Sequence, residues 1–241
     1  MGTKIEWADE VLNVVTGCTP VSAGCQNCYA RRMHGRFSKE PFSEVKFHPE
    51  RLDQPLRWLN PRRIFVCSMG DLFHEDVPDE FISRVFGRMR CANQHTFMIL
   101  TKRPERMRWF IWNLPNVWLG VSVENQSTAD ERIPMLLKTP AAVRFVSVEP
   151  MLGPVDLLSI KTSDGDGPSR ELIWIGEGAG IGWVICGAET GPGARPMDPT
   201  WARDLRDQCR EAHVRFFMKQ MSGRALIPDD LMIREFPEAK A

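Results

Sequence analysis

The chain has 241 residues, 43% of them apolar and 26% charged, the balance of a globular domain rather than of a disordered or fibrous chain. Its 31 basic and 31 acidic residues cancel, which excludes a cationic coat for nucleic acid and leaves room only for a local basic groove. The first ten residues lack the apolar core of a secretion signal, and no apolar run reaches the roughly 18 residues of a membrane span, so a cytoplasmic protein with no membrane partner is expected.

In chain order, short apolar runs alternate with amphipathic stretches, the pattern of parallel βαβ units. Strands are predicted at 13–16, 64–67, 96–100, 117–121, 143–148, 183–186 and 214–218. Helices are predicted at 28–37, 79–92, 104–112, 128–137 and 199–212, with Asp79 and Thr128 as N-caps and Pro199 in a first turn. The glycine-rich stretch 161–182 breaks the rhythm and is expected to be a flexible insertion in one domain spanning 1–241. Six or seven βα units without an eighth predict an α/β fold, a partial (β/α)6–7 TIM-like barrel.

Three of the seven cysteines crowd into the loop after the first predicted strand, Thr16-Gly17-Cys18-Thr19-Pro20-Val21-Ser22-Ala23-Gly24-Cys25-Gln26-Asn27-Cys28-Tyr29-Ala30, a C-x6-C-x2-C pattern. Glycine and proline keep this segment irregular, so it can wrap an object and aim Cys18, Cys25 and Cys28 inward. Two readings fit three thiolates. One is a [4Fe–4S] cluster whose fourth iron is left to the amino and carboxylate groups of S-adenosylmethionine (SAM); an external donor would supply the electron that releases a 5′-deoxyadenosyl radical. The other is a zinc site completed by His34, in a non-catalytic nucleic-acid-binding protein. The remaining cysteines, Cys67, Cys91, Cys186 and Cys209, stand singly and are expected to be small buried hydrophobes.

The predicted strands turn polar at one end, strand after strand: Ser68 and Asp71, Thr101 and Lys102, Ser122 and Glu124, Ser147 and Glu149, Glu189, then Lys219 and Gln220. Polar residues recurring at the carboxyl ends of barrel strands predict a lined cavity there. The loop from Glu189 to Arg195, with Gly191 and Gly193, suits a phosphate or carboxylate.

Several of these segments also carry a resemblance. Thr3-Lys4-Ile5-Glu6-Trp7, the cysteine loop, Asp71-Leu72-Phe73-His74, Thr101-Lys102-Arg103-Pro104, Gly120-Val121-Ser122-Val123-Glu124-Asn125, Ser147-Val148-Glu149-Pro150, Gly187-Ala188-Glu189-Thr190-Gly191 and Phe217-Met218-Lys219-Gln220 resemble a phage- and bacterium-borne radical-SAM-like family of unknown function. That family is in turn similar to spore photoproduct lyase, although the cysteine spacing departs from the usual C-x3-C-x2-C. The resemblance implies a radical SAM enzyme on a barrel of the radical SAM type. It places Ser122 and Glu124 at the ribose, unless Glu124 caps the helix near Thr128, with Ser68, Gly70 and Asp71 at the methionine ammonium and Tyr29 either near the adenine or packed over the cluster. Glu149, Glu189, Lys102 and Lys219 remain either for structural ion pairs or for a substrate that would be a nucleobase, nucleotide or DNA, approached past Arg31, Arg32, Arg36, Arg62, Arg63, Arg103, Arg106 and Arg108. Enzymes of the spore photoproduct lyase type use a cysteine to return hydrogen to a substrate radical, a role open to Cys67 if it shares the inward phase of Phe65, although the family resemblance implies another residue at this place.

Overall fold

The structure, a computed structural model, describes residues 3–110, 114–160, 180–223 and 225–238. Seven parallel strands form one sheet in the order β1 (Glu10–Leu12), β4 (Arg63–Val66), β5 (Thr96–Thr101), β6 (Val117–Val123), β7 (Val143–Val148), β8 (Ile181–Gly187) and β9 (Arg215–Gln220). A two-stranded antiparallel ribbon, β2 (Val15–Thr16) with β3 (Lys46–Phe47), stands apart from it. Among the described residues the α-helices are α1 (Tyr29–Phe37), α2 (Asp79–Cys91), α3 (Pro104–Met107), α4 (Gln126–Leu137) and α5 (Pro199–Glu211). None of the helices in the described residues is long and apolar enough to cross a membrane.

Side chains alternate across a strand, and here the two sets build two cores. Ile64, Val66, Phe97, Ile99, Leu119, Val121, Val146 and Val184 join the helices in the larger outer cluster. Phe65, Met98, Trp118, Phe145, Trp183, Ile185 and Phe217 meet in a second cluster inside the curl of the sheet. Trp183 is its hub, with ring centroids of Trp118, Phe145 and Phe217 about 6 Å away. Gly120 is required by this packing, since a Cβ there would stand 2.6 Å from the Phe145 ring.

The sheet is open, so β1 and β9 are edges that need cover. The C-terminal segment supplies it at β9: Met218 N–H donates to Ile233 O, and Glu235 N–H to Phe216 O. Phe236 then stacks on Trp183 at 5.4 Å. From the other end of the chain Trp7 packs against Phe65 at 4.6 Å, and Glu6 pairs with Arg234 at 2.7 Å. The two ends of the chain thereby close the seam between the edge strands.

Several boundaries differ from expectation. The first barrel strand is Glu10–Leu12, whereas the predicted 13–16 contributes only the short β2. Neither expected cap is one: Pro78 precedes α2, which makes Asp79 its first residue, and α4 is capped by Asn125. Asn125 Oδ1 accepts from Thr128 N at 3.1 Å, while Thr128 Oγ1 accepts from Asn125 N at 3.2 Å, which explains why Thr128 looked like a cap. The helix expected at 104–112 ends at Met107. Pro199 does open α5, behind the cap Asp198. Of the expected insertion, 161–179 lies outside the described residues, and Ile181 and Gly182 belong to β8. Cys91 is exposed, unlike the buried Cys67, Cys186 and Cys209.

Candidate functional site

The inward column of each strand starts apolar and ends polar. Met98 and Leu100 lead to Lys102, Trp118 and Gly120 to Ser122 and Glu124, Phe145 to Ser147 and Glu149, Trp183 and Ile185 to Glu189, and Phe217 to Lys219. These carboxyl ends line a cavity of about 850 Å³ that also reaches Trp7 and Phe65 of the inner cluster and Glu10 at the start of β1. Cys18, Cys25 and Cys28 border this same cavity, as do Tyr29, Ser68, Gly70, Asp71, Lys102, Ser122, Glu149, Glu189 and Lys219. Glu124 alone among the sequence-predicted site residues does not.

Glu124 is fully buried behind the cysteine loop. It accepts from Ser22 Oγ at 2.5 Å and from Arg132 NH1 at 3.3 Å. Gly24 lies so close that a Cβ there would overlap the carboxylate. Thus one wall of the loop rests on a buried ion pair between the end of β6 and α4. The other wall rests on the loop after β8. Glu189 Oε1 receives Arg195 NH2 at 2.6 Å and its Oε2 receives Asn27 Nδ2 at 2.8 Å, while Arg195 NH2 also donates to Ala23 O. Those bonds, against a smaller cost of burial, hold the Glu189 carboxyl down at about 2. Arg32 of α1 reaches the same loop through Thr190 O at 2.6 Å. The glycines expected to cradle an anion here face side chains of the cysteine loop and α1 instead: Asn27 donates to Gly193 O, and Gly191 lies against Arg32.

The remaining cavity carboxylates are likewise committed. Asp71 accepts from Thr101 Oγ1 at 2.8 Å, from Phe73 N at 3.0 Å and from Lys102 N at 3.1 Å. Glu149 pairs with Lys219 at 2.5 Å and accepts from Gln220 Nε2 at 3.0 Å. Glu10 pairs with Arg62. By contrast, the Lys102 ammonium has no hydrogen bond or ion pair among the described residues. Ser68 accepts from Tyr29 Oη through its carbonyl and donates from Oγ to Asn13 Oδ1 at 3.2 Å. Gly70 bridges Gly17 at the start of the cysteine loop.

Cys18 and Cys25 differ electrostatically. Burial, reinforced by Asp71, raises Cys18 to about 11 despite the Arg103 guanidinium at 3.4 Å. Cys25 is also penalised by burial, but the Val21 and Ser22 N–H groups and the Lys102 charge outweigh it and leave the thiol below its ordinary value. Among the described residues no three His, Cys, Asp or Glu side chains converge closely enough to cage one ion. His34, the fourth ligand of a zinc reading, instead meets Glu40 O at 2.9 Å and the Phe42 ring, away from the cavity. A lone zinc needs its ligands gathered on a point, and these are not. Two buried polar atoms on the wall, Ser147 Oγ and Trp7 Nε1, have no partner among the described residues, so the cavity is also fitted for a polar ligand.

Cys67 departs from strand alternation. It follows β4 with φ of 61°, so Phe65 joins the inner cluster while Cys67 joins the outer one. It still borders the cavity, and burial pushes its thiol up to about 12, which keeps it protonated at neutral pH. Sequence reasoning gave no role to Ser22, Asn27 or Arg132. For Arg132 a signal existed, since it interrupts the buried face formed by Ala129, Ile133 and Leu136. Of the arginines expected at the mouth, Arg62 and Arg63 open β4 and lie at the opposite end of the barrel, paired with Glu10 and Asp9.

Seven parallel strands curled into an open half-barrel, polar at its carboxyl end, define a partial TIM-like barrel. The chain belongs to the family described as "Protein of unknown function (DUF5131)", which it matches over residues 2–230. Among solved structures it is similar to a cysteine-to-serine mutant of spore photoproduct lyase, at 12% identity over 94% of this chain and 79% of that one, with a TM-score of 0.53. A tyrosine-to-phenylalanine mutant gives 12% and 0.51, and the enzyme complexed with dinucleoside spore photoproduct gives 13% and 0.50, at the same coverage. At such identity the likeness is one of fold. No curated protein matches the chain by sequence.

Proposed function

We propose that this protein is a radical SAM enzyme in which Cys18, Cys25 and Cys28 hold a [4Fe–4S] cluster and the cavity takes SAM together with a nucleobase, nucleotide or DNA substrate. The observation that carries the reading is that three thiols from one loop all border a cavity lined by the polar ends of the strands. When bound, the reduced cluster would supply the electron that splits SAM and releases the 5′-deoxyadenosyl radical.

The protein's own groups would bind and orient. Ser122 and Ser147 are neighbours in register on β6 and β7, and offer hydroxyls to the nucleoside part of SAM. The backbone around Ser68 and Gly70 serves the methionine ammonium, and Tyr29, tied to Ser68 O, forms the rim. Lys102 is the cation available to an anionic group of either ligand. Glu124 acts by holding the cysteine loop rather than by touching the ribose. Glu149 and Lys219 face the cavity as a pair and bring dipole and shape, not net charge, to the substrate. The nucleotide substrate is favoured by the barrel it shares with a lyase seen with a dinucleoside photoproduct.

Anaerobic reconstitution with iron and sulfide tests the proposal. About four irons per chain are expected, with 5′-deoxyadenosine formed on reduction with SAM. Cys25→Ala loses the iron and the exposed Cys91→Ala keeps it. One zinc per chain, or full iron content in Cys25→Ala, overturns the assignment.

A further inference from the structure

Helix α1 begins at the last cysteine of the loop, Cys28 being its N-cap, and of its nine residues it buries only Ala30. The longer α2, in contrast, buries Phe81, Ile82, Val85, Phe86 and Met89. Part of what α1 turns to solvent is apolar. Tyr29, Met33 and Phe37 are spaced four residues apart, so they form one row along the helix, and they are 43%, 43% and 85% exposed. Rows of exposed large apolar side chains mark binding surfaces. Beside this row runs a second, Arg32 and Arg36, again one turn apart. Arg32 is engaged with Thr190 O, but Arg31, Arg36 and Lys39 have no hydrogen bond or ion pair among the described residues. The helix carries no acidic residue.

Position narrows the occupant. Tyr29 and Met33 border the cavity, and Phe37 lies two turns out from its rim. The row is therefore continuous with the cavity, and a molecule lying along it reaches the cavity with one end. A strand of unpaired nucleic acid combines what the surface asks for: flat bases to pack on aromatic and thioether side chains, and phosphates to meet the arginines. We infer that the outer face of α1 is a ramp for a single-stranded nucleic acid whose reacting nucleotide occupies the cavity. The inference rests on the nucleotide reading above and extends it from a nucleotide to a chain. An acidic electron-donor protein would match the charge, but has no need of a row that descends into the cavity.

The test is fluorescence anisotropy of a labelled mixed-sequence DNA oligonucleotide with the reconstituted protein and SAM, repeated with the four deoxynucleoside monophosphates as competitors. Phe37→Ala removes one stacking platform and is expected to weaken oligonucleotide binding about tenfold. Arg36→Glu is expected to weaken it and to flatten its salt dependence. Both positions are exposed, so neither change should alter iron content, reductive SAM cleavage or mononucleotide binding. Oligonucleotide affinity unchanged in both variants overturns the ramp, as does a loss confined to binding of a small acidic flavoprotein. Wild-type protein that binds mononucleotide as tightly as oligonucleotide removes the ramp and leaves the nucleotide reading intact. Wild-type protein that binds neither removes both.

Discussion

The Glu124 carboxylate satisfies two groups at once, the buried Arg132 guanidinium and the Ser22 hydroxyl of the cysteine loop. Arg132 also donates to Ser122 O at 2.8 Å and lies 3.9 Å from the half-exposed Glu131 carboxylate, but Glu124 is the buried charge beside it. Glu124→Ala strands that charge and should cost about 3–5 kcal/mol, read as a lower urea midpoint. It should also lower iron retention, because the loop loses its rest; an unchanged midpoint together with weakened SAM binding would return Glu124 to the ribose. At this scale the cysteines were legible because crowding is a local signal. The strut was not, since Ser22 and Glu124 are 102 residues apart and only the curl of the sheet brings them together.

Among the elements, the loop after β8 does for the other wall of the cysteine loop what Glu124 does for the first. Glu189 titrates near 4.5 in an unfolded chain and near 2 here, so its pairing stabilises the fold at pH above 4.5 and that contribution is lost as pH falls from 4.5 toward 2. Arg195 keeps some contact with solvent, which moderates the effect to about 1–3 kcal/mol. In Arg195→Met the acid limb over that window should be shallower than in wild type, as measured by urea denaturation at successive pH values. Identical slopes would show that the pair does not stabilise the fold. Strands with continuous apolar runs, such as β6 and β7, were readable from sequence because both faces are covered. The first barrel strand was not: it has three residues, one of them Glu10, and the nearby Val15-Thr16 offered a stronger β pattern that serves the small ribbon. The true cap of α4 was hidden because Asn125 and Thr128 share one reciprocal motif.

For the whole molecule, a formal charge of zero conceals an uneven arrangement. The carboxylates bordering the cavity are paired or hydrogen-bonded, while Lys102 and the arginines of α1 other than Arg32 remain unengaged among the described residues. The barrel class could be read from the alternation of strands and helices, and the mouth from the polar strand ends. The closing of the open seam could not, because it depends on Trp7 and Phe236, residues from opposite ends of the chain that share one aromatic cluster. With Glu6 and Arg234 in contact at 2.7 Å, the segment running from one to the other is nearly a ring, open at one place. Where the cut falls should then matter less than that the ring stays closed. A permuted chain, joined by a short linker from Glu238 to Thr3 and reopened at the exposed Leu59, should fold and melt near wild type. Deleting the first eight residues, by contrast, takes away Trp7 and lays the interior of the barrel open to water.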